Sequence, residues 1–100
     1  MFENLAVKTA IQLSREGKGI LVDIRSEEAY RLGHLPGAVY GTTQMIEQVL
    51  KKNSDKKIIF YCDYGNQSMR LAKTYGEQGY KNLASIVGGY HAFEGYLEMA

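Results

Sequence analysis

The sequence predicts an α/β domain: a small parallel sheet held between two layers of helices. Three observations carry that prediction. Short β-branched apolar runs without polar alternation, "GILVDI" and "KIIFYC", are what strands covered on both faces look like. Stretches of helical spacing separate those runs. The connections between them are short, so strand and helix alternate, as in three-layer folds with parallel strands. A chain of 100 residues fits one such domain, spanning 1–100.

Each element has its own local reason. In "LAVKTAIQLSREGKG", Ala6, Ala10 and Leu13 share a helical face with Val7 and Ile11 beside them, and Gly17 is a stop. The first strand, 20–24, follows. "SEEAYRLG" opens with Ser26 as N-cap and acidic residues in the first turn, where they meet the positive end of the helix dipole. The chain turns at Pro36-Gly37 into a short second strand, 37–41. "TQMIEQVLKKN" is a helix with Met45, Ile46, Val49 and Leu50 inward and Lys51 and Lys52 near its negative end. The third strand is 58–62. Leu71, Ala72 and Tyr75 form the apolar stripe of the next helix, which Gly76 and Gly79 weaken and then end. "LASIVGG" supplies a fourth strand, 84–87, and "YHAFEGYLEM" a last helix.

Composition excludes several functions. The formal net charge is +1 and no basic run is present, which argues against nucleic acid or an anionic membrane surface as partner. No stretch is long enough to span a bilayer. The first residues lack the basic region and apolar core of a signal peptide. The single cysteine excludes an internal disulfide and an internal resolving thiol, which fits a reducing cytoplasm.

That cysteine opens "CDYGNQS", residues 62–68, at the carboxyl end of a strand, where ligands of parallel α/β sheets bind. A loop from strand to helix turns consecutive backbone N–H groups inward as an anion nest. Gly65 permits a positive φ, and Asn66 tolerates left-handed geometry. Ser68 is placed as N-cap of the following helix, whose positive end then faces the loop. Amides and dipole both favour thiolate over thiol, the reactive form. Two readings of Cys62 stand here, a nucleophile in a nest or a small core residue at a strand end.

Three segments, in order, resemble the rhodanese family of single-domain sulfurtransferases. They are "LVDIR" with the downstream "GHLPGA", the loop "CDYGNQS", and "GGYHAF"; together they cover about residues 20–96. The resemblance implies a three-layer rhodanese-like domain of four strands, or five, in the order 37–41, 20–24, 58–62, 84–87. It implies that Cys62 accepts a sulfane sulfur from thiosulfate or another persulfide donor, becomes a persulfide, and passes the sulfur to a thiol or protein acceptor. The amides of residues 63–68 would stabilise thiolate and persulfide, so Asp63, Tyr64, Gly65, Asn66, Gln67 and Ser68 form the expected substrate-binding loop. No metal or organic cofactor is required. The other class of function open to such a domain is a non-turnover sulfur carrier or regulatory module that docks a partner.

The departures from the family pattern are informative. Family members active on thiosulfate often carry an arginine just before the final serine of this loop; here that position is Gln67, and Asp63 adds a negative charge. Weak thiosulfate turnover, or a donor that is not a dianion, is the expectation. Arg70 lies just beyond and is read as outward-facing. The related phosphatases and arsenate reductases place an arginine where this chain has Ser68, so phosphoryl and arsenate chemistry are not expected. The final aromatic of the third motif, commonly Trp, is Phe93, which keeps the packing but not the indole donor. His34 is read as part of a structural turn rather than as a base for Cys62. Asp23 and Arg25 are read as a polar brace behind the loop, and Tyr64, with Tyr90 and His91, as lining the mouth. The family's usual first strand has no counterpart before the first helix, which leaves 84–87 at an open edge and makes a homodimer, or a partner covering that edge, an expectation.

Overall fold

The computed structural model describes residues 1–99. Its elements are β1 (Phe2–Leu5), α1 (Val7–Arg15), β2 (Gly19–Asp23), α2 (Glu27–Leu32), β3 (Val39–Tyr40), α3 (Thr43–Lys52), β4 (Lys57–Tyr61), α4 (Asn66–Glu77), β5 (Leu83–Ile86) and α5 (Gly89–Met99). All strand pairs are parallel, in the order β1-β5-β4-β2-β3. The α/β class is therefore as the sequence pattern indicates, and the order of the four expected strands as the resemblance implies.

The sheet sorts its side chains by alternation, as strand geometry requires. Leu21, Ile59, Tyr61, Ala84 and Ile86 face α1 and α5, where they bury Val7, Ala10, Ile11 and Phe93. Val22, Ile58, Phe60 and Leu83 face the other way, against Ile46, Val49 and Leu50 of α3 and Ala72 and Tyr75 of α4. Both faces of the central strands are dry, which explains their continuous apolar runs. Ser26 and Thr42 cap α2 and α3 by accepting hydrogen bonds from the amides of Ala29 and Met45, each at 3.1 Å.

The open edge expected at the fourth strand is not there. Phe2–Leu5 forms a strand paired with β5, from Phe2 opposite Leu83 to Leu5 opposite Ile86. Glu3 of β1 also pairs with Lys57 at the start of β4. Gly76 allows the chain to begin there, because a Cβ on it would lie 2.8 Å from the Met1 nitrogen. The edge on which the expectation of a homodimer rested is thus covered from within the chain.

Boundaries shift as well. The strands expected at 20–24, 58–62 and 84–87 each start and end one residue earlier, and the one expected at 37–41 shrinks to Val39–Tyr40. The shift takes Cys62 out of the ladder: Ile24 N–H still donates to the Tyr61 carbonyl, but the Cys62 carbonyl turns to accept from Tyr90 N–H at 2.8 Å. Ala6 and Met45, expected inward, are exposed. Ala6 is the extended N-cap of α1, not part of its apolar face. Met45 belongs to the first turn of α3, while the dry face begins at Ile46.

Candidate active site

The carboxyl ends of β2, β4 and β5 bring three loops together, and the loop after β4 holds Cys62. This residue is 2% exposed and lines a pocket of about 220 Å³, together with Asp63, Tyr64, Asn66 and Gln67. Two backbone amides converge on Sγ: Gly65 N–H donates at 3.1 Å and Ser68 N–H at 3.3 Å. The thiol itself lies 3.5 Å from Ser68 Oγ, to which it donates. Burial pushes the Cys62 thiol up, but the Ser68 hydroxyl and the amides of Ser68, Gly65 and Tyr64 outweigh it, and the net shift is down. The amides that face the sulfur are thus those of Gly65 and Ser68, not every one between 63 and 68.

Helix α4 starts earlier than expected, and this changes what Ser68 does. Gly65, at φ 105°, is the N-cap, and it supplies no side chain to receive the orphan amides of the first turn. Sγ of Cys62 accepts the Ser68 amide and that of Gly65 itself instead. Ser68, expected as the cap, is a fully buried residue of the first turn; its Oγ lies 3.1 Å from the Gly65 carbonyl and 2.7 Å from Ser85 Oγ. It sits beneath the sulfur and does not line the pocket. Asn66, expected to tolerate left-handed geometry, is the first residue of the helix, and Gly65 takes the positive φ alone within the loop.

The loop is fastened from behind. The "GG" of residues 88–89 opens α5, and Gly89 is pressed against the loop: a Cβ there would stand 2.4 Å from the Cys62 carbonyl oxygen. Tyr90 and His91 donate their amides to the carbonyls of Cys62 and Asp63 at 2.8 and 3.0 Å. Asp23 and Arg25 form the expected brace. Arg25 donates to both carboxylate oxygens of Asp23, the shorter contact being 2.7 Å, and to the Gly33 carbonyl at 2.6 Å. Its guanidinium lies 3.8 Å from the Tyr90 ring centroid. Burial works against the Arg25 charge, but the hydrogen bonds and charge of Asp23 more than compensate, so its pKa is raised. Tyr61, pushed well above an ordinary phenol by burial, accepts the Leu35 amide at 3.1 Å and completes this layer.

Other predicted residues fall into place. Tyr64 is 70% exposed at the pocket rim, with its ring 5.5 Å from that of His91. Tyr90 is drawn away from the rim and over Arg25. Phe93 is buried, consistent with a packing role. His34 stacks on Tyr30 at 3.9 Å, and its Nδ1 lies 2.8 Å from the Tyr30 carbonyl, so it belongs to the α2 turn. Arg70 is exposed and lines a separate, more open groove with Thr43, Ile46 and Leu71; Gln67 borders both spaces. Ser85 was not singled out by its sequence. Its signal is slight, one polar residue in the otherwise apolar "LASI" of β5.

Such a site belongs to domains in which a cysteine-led loop surrounds a single sulfur with amides. A family model, the rhodanese-like domain, matches residues 6–96, and the chain belongs to that family. Among solved structures, the human single domain sulfurtransferase TSTD1 is similar with a TM-score of 0.78 and 21% identity, over 100% of this chain and 99% of that one. RPA3614 from Rhodopseudomonas palustris, a protein of unknown function described as a possible tyrosine phosphatase, is 34% identical with a TM-score of 0.77, over 95% of this chain and 81% of that one. A rhodanese-related protein from Thermoplasma volcanium gives a TM-score of 0.74 at 16% identity, over 99% and 94% of the two chains. The likeness to the human and Thermoplasma proteins is one of fold.

Proposed function

We propose that the domain is a sulfurtransferase that carries a sulfane sulfur on Cys62. The observation that carries this reading is the convergence of the Gly65 and Ser68 amides on Sγ, beside a pocket that opens to solvent. Amides held in place before reaction stabilise a thiolate at no cost of reorganisation. With thiosulfate, the Cys62 thiolate attacks the outer sulfur, a new S–S bond forms, and sulfite leaves with the electron pair of the broken S–S bond. With a persulfide donor, the leaving group is the donor's thiolate. A thiol or other thiophilic acceptor then attacks the outer sulfur and Cys62 departs as thiolate. No oxidant is consumed and no metal or organic cofactor takes part. The chain's single cysteine means that discharge needs a second molecule, a small thiol or a protein, and suits a reducing cytoplasm.

The pocket lining contains Asp63 and no lysine or arginine. A dianionic donor is held by backbone amides with little side-chain help, so we assign the domain a weak thiosulfate activity and a preference for less charged persulfide donors. The same lining speaks against phosphoryl transfer, the activity suggested by the description of RPA3614: the position that would grip a phosphate is the buried Ser68. It also favours the second reading, a sulfur carrier or regulatory module that docks a partner through the exposed Tyr64 without turning over.

Weighing the intact protein after incubation with thiosulfate and with a persulfide donor tests the first reading. The expected result is a gain of one sulfur on Cys62, removed by cyanide or a thiol and absent from Cys62→Ser. No gain with any donor at near-neutral pH overturns the sulfurtransferase reading.

A further inference from the structure

Ser85 lies on β5, 0% exposed, on the sheet face that Leu83 shares and that packs against α4. Its Oγ is 2.7 Å from Ser68 Oγ, the one hydrogen-bond partner its hydroxyl has among the described residues. Ser68 Oγ stands at the centre of a small network: Ser85 Oγ on one side, the Gly65 carbonyl at 3.1 Å, and the Cys62 sulfur at 3.5 Å. A hydroxyl has one proton to give and two lone pairs to receive with, so the direction of the serine–serine bond decides what is left for the sulfur.

Were Ser68 to donate to Ser85, the Ser85 proton would be buried without an acceptor, and a buried orphan donor is costly. Ser85 is therefore the donor. Its proton occupies a lone pair of Ser68 Oγ and leaves the Ser68 proton to choose between the Gly65 carbonyl and Sγ. The carbonyl is already served, since Met69 N–H donates to it at 3.2 Å. With Cys62 protonated, S–H donates to Ser68 Oγ and the Ser68 proton rests on that carbonyl. With Cys62 ionised, the Ser68 hydroxyl turns and gives its proton to the sulfur, while Ser85 keeps its hold. Hydrogen bonds in such a chain polarise one another, so the outer donor strengthens the inner one.

We propose that Ser85 is a positioning residue for Cys62: by donating to Ser68 it directs the Ser68 proton onto the sulfur. This deepens the reading of Cys62 as the reactive sulfur and rests on it only in part. Its test needs a thiol that reacts with an alkylating reagent, not one that transfers sulfur.

The experiment is the pH dependence of iodoacetamide alkylation of the full chain, wild type against Ser85→Ala, Ser68→Ala and the double variant. A hydroxyl that reaches the thiolate directly is worth about one pH unit in the midpoint, and one acting through it about half a unit. Ser68→Ala is expected to raise the midpoint by the larger amount and Ser85→Ala by the smaller, with alkylation below both midpoints about threefold slower for Ser85→Ala. The double variant should match Ser68→Ala, because Ser85 has no route to the sulfur except through Ser68. Ser85→Thr, which keeps the hydroxyl at a strand position suited to β-branching, should titrate as wild type. Thermal melts by circular dichroism establish that each variant is folded. An unchanged midpoint in Ser85→Ala overturns the proposal, as does a further shift when Ser85→Ala is added to Ser68→Ala, or a Thr variant as impaired as Ala.

Discussion

Burial and hydrogen bonding act on Cys62 in opposite directions, and hydrogen bonding wins. The consequence reaches stability as well as reactivity. A thiol whose folded pKa lies below its unfolded value of about 8.5 binds its proton less tightly when folded, so stability rises with pH across that interval. The extra stability is fully present above about pH 8.5 and is lost as the pH falls through the folded value. Comparing melting temperatures of the wild type and Cys62→Ser from pH 5 to about 9 checks this: the difference should move in favour of the wild type as pH rises. A pH-independent difference would contradict it. Charge at the rim is a second matter of single residues. Gln67→Arg places a guanidinium beside the pocket and is expected to speed thiosulfate loading by roughly tenfold at low salt, with the gain shrinking as salt screens it. Loading from a neutral persulfide should change little. Equal gains for both donors would show that charge was not the missing part.

Among the elements, β1 carries the main lesson. "FENL" has four residues, two of them polar, with only its ends half-buried, so neither period nor composition marks it. What makes it a strand is outside it: the free edge of β5, the ion pair of Glu3 with Lys57, and Gly76, which leaves room for Met1. Removing residues 2–5 should cost about 1–3 kcal/mol and uncover the β5 edge. Urea titration reads the stability, and light scattering across concentrations reads the self-association that an uncovered edge invites. A truncated chain as stable and as monodisperse as the full one would mean that β1 is dispensable. Helix α2 is easier to read, because Ser26 ends its loop with a side chain that does its own capping. Helix α4 is harder, since its cap acceptor is a thiol three residues before its N-cap rather than the cap residue's own side chain.

At the scale of the whole molecule, the apolar runs sufficed for the layers, because strands dry on both faces need helices on both faces. The place of the cysteine loop was legible too, as glycine and small polar residues after a buried strand mark a turn at the carboxyl end of the sheet. Contacts between elements distant in sequence were not. Ser68 and Ser85 meet across 17 positions, and nothing local to either announces the pairing. Gly89 likewise explains itself only once the Cys62 carbonyl is seen where a Cβ would go. The parts that resist reading are those whose meaning lies in another strand or helix.

One atom of this fold serves two masters. Sγ of Cys62 closes the first turn of α4 in the way an aspartate or serine oxygen usually does, receiving the amides of Gly65 and Ser68. When that sulfur bonds to another, its negative charge moves one atom outward, and what remains is a weak, neutral acceptor. In the proposed sulfur transfer, each cycle of loading and discharge would therefore strip the helix of its anionic stopper and then restore it. The twelve residues of α4 would thus be capped most firmly when the proposed carrier is empty.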